Sequence, residues 1–358
     1  MVKIPLYAKI TVSLVGLFAL VAMLYIAQGL IIPLVFALII AMTLHPVVKI
    51  FSRLGINRIV AISITLLVTF LVIAAIGTLL VSQASQFSKS WPSLVDRSVA
   101  LFNQTTLWAS GYFSIDPLTI QEWLVKTKDD FISNGGTTLG QTLLSLSSGM
   151  MVLLLVPVYV FLILFYHPLL LEFTHRLFEK SNQNQVKEII TQTKSLIQRY
   201  LTGLVIEAAL VATLYFITLK LFGIEYALLL AIIGALLNVI PYVGGVVGAA
   251  LPIMVALATQ STGWYALYVL IAYSTIQMID NNIIVPKIVA SKVKINALCS
   301  VIVVIAGSAL WGISGMFLSI PLLAIIKLIA DHIEPLKPFG FLLGVPIVAA
   351  KTESSEKS

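Results

Sequence analysis

Five long windows without a single charged side chain constrain this chain more than any other feature. They run from residue 10 to 44, 59 to 88, 131 to 166, 226 to 279 and 295 to 326. One bilayer crossing needs roughly 20 apolar residues, so each window holds one or two spans. The whole chain is 59% hydrophobic and 10% charged, whereas soluble domains carry about 25% charged residues. A polytopic, all-α membrane protein follows.

The net charge of +7 fits the excess of Lys and Arg that cytoplasmic loops carry. No basic cluster interleaved with aromatics suggests nucleic acid, so no nucleic-acid partner is expected. Cys299 is the only cysteine, which excludes an internal disulfide and zinc-type spacings. The apolar run after Lys3 and Lys9 is too long for a signal peptide and meets no convincing cleavage site, so it reads as a first span.

The basic flanks set a topology. Lys3 and Lys9 precede two apolar stretches split at Gln28-Gly29, and Lys49, Arg53 and Arg58 follow them. Both termini of that hairpin are then cytoplasmic. A third span, 59–81, leads out. Residues 83–145 hold four basic and five acidic side chains, a near balance suited to an external amphipathic segment, with Asp116-Pro117 as a helix start or turn. A fourth span, 146–166, returns with Pro157 as a kink. An amphipathic cytoplasmic helix through Val186, Ile189, Ile190 and Ile197 enters a fifth span, 201–221. The expected divisions are 1–82, 83–145, 146–200, a transport unit at 201–335, and a tail at 336–358.

Two apolar stretches are interrupted. The piece "NVIPYVGGVVGAALPIM" carries Pro241, Pro252, Gly244, Gly245 and Gly248, poor residues for a helix interior. The second, around "GSALWGISG" and Pro321, follows a cleaner span at 264–279. Charge parity requires each broken stretch to enter and leave on one side, so both read as re-entrant hairpins. One full helix plus one broken hairpin occurs twice in opposite directions, the pattern of an inverted repeat. Non-helical backbone at membrane depth is tolerated only where protein buries it or it lines a cavity. The breaks therefore point to a transport pathway.

From "RYLTGLVIEAALVATLYFITLKLFGIEYALLLAIIGALLNVIPYVGGVVGAALPIM" through "QMIDNNIIVPKIV", the chain resembles the AI-2E transporters, the autoinducer-2 exporter and permease family. The likeness covers roughly residues 199–330, with Ala290 and Asn296-Ala297 departing from the usual pattern. It implies a secondary exporter of a small polar metabolite, typified by the quorum signal autoinducer-2, in the bacterial cytoplasmic membrane. Some relatives act instead as sodium(lithium)/proton antiporters. A homo-oligomer is expected, with the bilayer, a small polar solute and a proton or sodium ion as partners. No cofactor, metal site or catalytic residue is expected.

Each candidate has a plainer alternative. Asp280, Asn281 and Asn282 could hold a cation or substrate hydroxyls, or cap the helix and pair with Lys287. Glu207, an acid within a span, is the candidate proton carrier, or pairs with a neighbouring base. Asn238, Pro241, Tyr242, Gly244, Gly245 and Gly248 could line the path. Equally, Asn238 could satisfy a carbonyl that Pro241 frees, and the Gly244–Gly248 spacing suits close helix packing. Gln277, one turn before Asn281, extends the polar stripe. Ion coupling falls to Glu207 and Asp280. Trp91, Trp108, Trp264 and Tyr265 read as interface anchors, and His45, His167, His175 and His332 as loop-edge residues. No HExxH, nucleophile elbow or Walker loop appears, which argues against an enzyme.

Overall fold

The computed structural model describes residues 5–113, 150–178, 183–239, 244–260, 262–289 and 295–344. All described elements are helical. Among the described residues, five helices are long and apolar enough to cross a membrane, or six if one bent pair counts as a span. The chain forms two compact units, which group it across the linear divisions expected from sequence.

The first unit comprises residues 1–66, 152–202 and 290–358. It holds α1 (Leu6–Ile26), α2 (Gln28–Arg53), most of α4 (Met150–Phe165), and α5 (His167–Leu177). It also holds α10 (Ala297–His332) and α11 (Lys337–Leu343). The starts of α3 (Arg58–Phe113) and α6 (Gln183–Leu221) complete it. The break between α1 and α2 falls at Ala27, one residue ahead of the expected split. Ala37 and Ala41 on α2 and Ala61 on α3 are almost fully buried beside Ile62, Val160 and Leu164. Such small side chains let helices approach closely where no hydrophobic effect drives association.

A bend of 63° separates α4 from α5 at Tyr166. It was expected at Pro157, which α4 contains within one helix. The physical reason lies two residues beyond the bend: Pro168 has no N–H to donate to Leu164, four residues earlier. The Arg58 Nη2 donates to that Leu164 carbonyl at 2.7 Å, so the start of α3 satisfies what the proline leaves free.

Helix α10 contains a sharper reversal. Trp311 and Gly312 leave helical geometry, Gly312 with φ 59°, a conformation open mainly to glycine. A straight helix would separate Val303 from Ser319 by about 24 Å, yet the Ser319 hydroxyl donates to the Val303 carbonyl at 2.9 Å. The chain therefore folds back on itself as a helical hairpin. Gly307 and Gly315 meet between its arms, where a Cβ on Gly315 would lie 1.9 Å from the Gly307 oxygen. The Trp311 indole donates to Leu24 O at 3.1 Å and holds the turn to α1. Asn296 caps the first arm by accepting from the Cys299 N–H at 2.8 Å.

The second unit comprises residues 67–151 and 203–289. It holds the rest of α3 and α6, then α7 (Ala227–Asn238), α8 (Gly244–Thr259) and α9 (Trp264–Ile279). A π-helical segment, Asp280–Val289, continues α9. Here α7 and α8 form the other hairpin, with Gly234 against Gly248 so closely that a Cβ on Gly248 would lie 3.5 Å from the Gly234 Cα. Helix α3 passes residue 82 unbroken. Phe87, Trp91, Leu94 and Val95 lie on one stripe of it and are buried in this unit's core. Trp91 is thus a packing residue, not an interface anchor, because its ring meets Phe87 edge-on at 5.6 Å. Trp264 is 62% exposed at the start of α9, as an anchor would be. The Trp108 side chain, Asp116-Pro117 and most of the expected external segment lie outside the described residues.

Gly315→Ala should cost about 1–3 kcal/mol through backbone overlap, read as a lowered unfolding temperature of the detergent-solubilised protein. Gly16→Ala, with nothing within 4 Å of its Cβ position, should leave that temperature unchanged or slightly raised.

Candidate functional site

The second unit gathers its polar side chains into one cluster inside an apolar core. Helix α6 supplies Glu207 and, two turns on, Tyr215. The α7 hairpin arm supplies Asn238 as its last residue. Helix α9 and its π extension supply Tyr273, Gln277 and Asp280. Glu207 and Asp280 are almost completely buried, at 4% and 1% exposure.

Asn238 is the hub. Its Nδ2 donates to Asp280 Oδ2 at 2.7 Å and reaches Glu207 Oε1 at 3.4 Å. Its Oδ1 accepts from Gln277 Nε2 at 3.1 Å. Tyr215 OH then donates to Gln277 Oε1 at 3.3 Å, and the Tyr215 and Tyr273 rings stack at 4.0 Å. Asp280 Oδ1 and Tyr273 OH are buried without a hydrogen-bond partner. Each such orphaned polar atom in a core calls for an explanation, such as a ligand, an ion or an ordered water.

The electrostatics are one-sided. Two acids share a single amide nitrogen, so their oxygens lie within about 6 Å of each other. Among the described residues no ion pair engages either acid. Two negative charges about 6 Å apart repel by about 3 kcal/mol at an effective dielectric near 20. One positive charge taken up between them relieves that repulsion, and the arrangement can therefore hold a monovalent cation or a proton. Described groups of three metal-ligating acids, cysteines or histidines are absent.

The expected site residues divide clearly. Asn238, Gln277, Asp280 and Glu207 come together. Asn281 and Asn282 are exposed, and Asn282 Nδ2 donates to the Met278 carbonyl at 2.8 Å, a local role where the helix widens. Gln277 shares its face with Asp280 three residues on, not with Asn281 four residues on. Asp280 makes no pair with Lys287, and the Asn238 amide is spent on side chains. Gly248 serves the hairpin crossing. Gly244 and Gly245 open α8, while Pro241 and Tyr242 lie outside the described residues.

Tyr215 and Tyr273 were missed from sequence. Their spacing carried the signal: Glu207, Val211 and Tyr215 form one i, i+4, i+8 stripe, and Tyr273 precedes Gln277 by one turn.

Asn238→Leu should strip a donor from both acids and an acceptor from Gln277, costing about 2–4 kcal/mol. A double-mutant cycle with Asp280→Leu should be far from additive, whereas additive losses in unfolding free energy would dissolve the hub.

A sequence profile described as AI-2E family transporter matches residues 14–334. The chain is 25% identical over 309 residues to the Bacillus subtilis protein named "Putative transport protein YueF", covering 82% of each. It is 24% identical over 338 residues to "Putative transport protein YhhT" of Escherichia coli, covering 94% of each. It is also 26% identical over 326 residues to "Putative permease PerM" of Escherichia coli, covering 88% of this chain and 90% of that one. With its profile match spanning most of the sequence and its several membrane-spanning helices, the chain is a multi-pass membrane protein that belongs to the AI-2E transporter family.

Proposed function

We propose that this protein is a secondary transporter that exports a small polar metabolite of the autoinducer-2 type across the bacterial cytoplasmic membrane by alternating access. The observation that carries this reading is the Glu207–Asn238–Asp280 cluster. Ionisable groups inside a membrane core are costly and mark solute or ion pathways. Here they gather where the first arm of the α7–α8 hairpin ends at Asn238. The donors and acceptors of Asn238, Gln277 and Tyr215 suit a hydroxyl-rich solute. The acids suit coupling to an ion gradient.

A helix followed by a helical hairpin occurs twice in the chain order. In this reading the two are an inverted repeat, the hairpins are re-entrant, and both termini are cytoplasmic. Exposed apolar faces, such as that of α1 with Phe18 at 77% exposure, suit lipid contact and assembly of a homo-oligomer. An enzyme is the weaker alternative, since the described acids lack a paired base or metal-ligand set.

A second reading, sodium(lithium)/proton exchange, is favoured by one feature. Two buried acids share one neutral amide with no basic partner among the described residues, a composition suited to cations as cargo.

Proteoliposomes with a trapped pH dye and a preset proton gradient separate the two. Export predicts saturable autoinducer-2 flux that falls at least tenfold in Asp280→Asn and Glu207→Gln. Glu172→Gln, an exposed acid paired with Arg176, should change it less than twofold. Proton movement driven by sodium or lithium, with no solute flux, would replace export by exchange.

Alternating access is tested in a Cys299→Ser background carrying Tyr242→Cys. An impermeant maleimide should label this position from one side without solute and from the other under a solute gradient. Equal labelling from one side in every condition would count against the mechanism.

A further inference from the structure

The first unit contains a cavity of about 310 Å³, large enough for a ligand by general pocket statistics. Its walls are apolar, including Leu38, Ile163, Leu171, Ile190, Ile325 and Ile329. Thr174 and Thr193 also border it, its titratable lining residues are His45, His167 and Lys194, and none of its lining residues is acidic. No residue of the Glu207–Asn238–Asp280 cluster takes part.

The basic groups are held together by geometry. Lys194 Nζ donates to His45 Nδ1 at 3.0 Å, which directs the other ring nitrogen of His45 to act as a donor. The His45 and His167 rings lie 4.7 Å apart. Arg58 is bonded to the carbonyl of Leu164, another wall residue, and Lys49 stands one turn beyond His45 on α2. The nearby acids are engaged elsewhere. Glu172 pairs with Arg176 at 2.9 Å, and Glu188 accepts from Gln192 at 2.9 Å. Lys194 makes no ion pair among the described residues.

A half-buried ammonium with two imidazoles beside it, at the border of an apolar cavity, calls for a ligand with an anionic head and a hydrocarbon body. The flanking Lys49, Arg53 and Arg58 assign this border to the cytoplasmic leaflet, which is rich in anionic lipid. Basic pockets between membrane helices on that side hold anionic headgroups. We infer that this cavity is a binding site for one anionic phospholipid, its phosphate on Lys194, His45 and His167 and an acyl chain among the apolar walls. A free phosphate compound lacks the hydrocarbon that the walls would cover, and a zwitterionic lipid lacks the net charge.

The full-length protein in detergent is titrated with phosphatidylglycerol, with phosphatidylcholine of the same acyl chains, and with glycerol 3-phosphate. Native mass spectrometry reads retained molecules and thermal unfolding reads stabilisation. One phosphatidylglycerol should be retained and should raise the unfolding temperature by several degrees, with neither control doing so. Lys194→Gln should weaken phosphatidylglycerol binding at least tenfold, and Lys194→Arg should restore most of it. Ile190→Trp, which fills the cavity and leaves the basic groups in place, should abolish lipid retention and serves if Lys194→Gln does not fold. Equal retention of phosphatidylcholine, equal stabilisation by glycerol 3-phosphate, or binding unaffected by both Lys194→Gln and Ile190→Trp would overturn the site. Because none of these readouts is a transport measurement, the outcome stands apart from the solute and ion assays above.

Discussion

Inside a membrane, a polar group that leaves its helical partner finds no water to replace it, and each unpaired backbone group costs several kcal/mol. Contacts at several of the described irregularities bear on this requirement. Pro168 removes the donor for the Leu164 carbonyl, and the Arg58 guanidinium takes its place. At the Trp311-Gly312 reversal, the indole reaches Leu24 O and the Ser319 hydroxyl reaches Val303 O. Where α9 widens to a π-helix, Asn282 donates back to Met278 O. At the α4–α5 bend the interruption is satisfied by a side chain from another helix, while the other contacts tie the irregular segments to nearby backbone.

Glycine makes these compensations geometrically possible. Gly307 against Gly315 lets the two arms of the α10 hairpin touch backbone to backbone, and Gly234 leaves room for the Tyr215 ring, which a Cβ there would meet at 3.3 Å. Close approach brings van der Waals contact, which must substitute for the hydrophobic effect between helices already surrounded by hydrocarbon. The first arm of the α7–α8 hairpin ends at Asn238, where that amide meets Glu207 of α6 and Gln277 of α9. The polar cluster is therefore a consequence of hairpin packing as well as of the residues in it.

Asn238 is neutral, yet it organises two acids. A basic residue there would neutralise them permanently, whereas an amide satisfies oxygens without cancelling charge. The stacked tyrosines extend the donor network through Tyr215 to Gln277. Asp280 Oδ1 and Tyr273 OH are buried without a partner at the same place, so the network is not fully satisfied.

Membrane residence, helical class and the existence of two interrupted stretches were legible in the sequence, because lipid imposes length and charge rules that act on local composition. So was the candidacy of Glu207 and Asp280, since an acid in an apolar run stands out without any structure, and both are buried. Tertiary contacts decided the rest. Asn281 and Asp280 are adjacent, polar and nearly the same shape, yet only helix rotation and packing could place Asp280 in the core and Asn281 outside. Trp91 resembled an interface anchor until α3 continued past residue 82 and packed it in a core. His45, His167 and Lys194 lie far apart in sequence and share no motif spacing, so only the folding of α2, α5 and α6 could make them neighbours. Composition selects the solvent a helix accepts, whereas rotation and packing against other helices select which of its side chains meet.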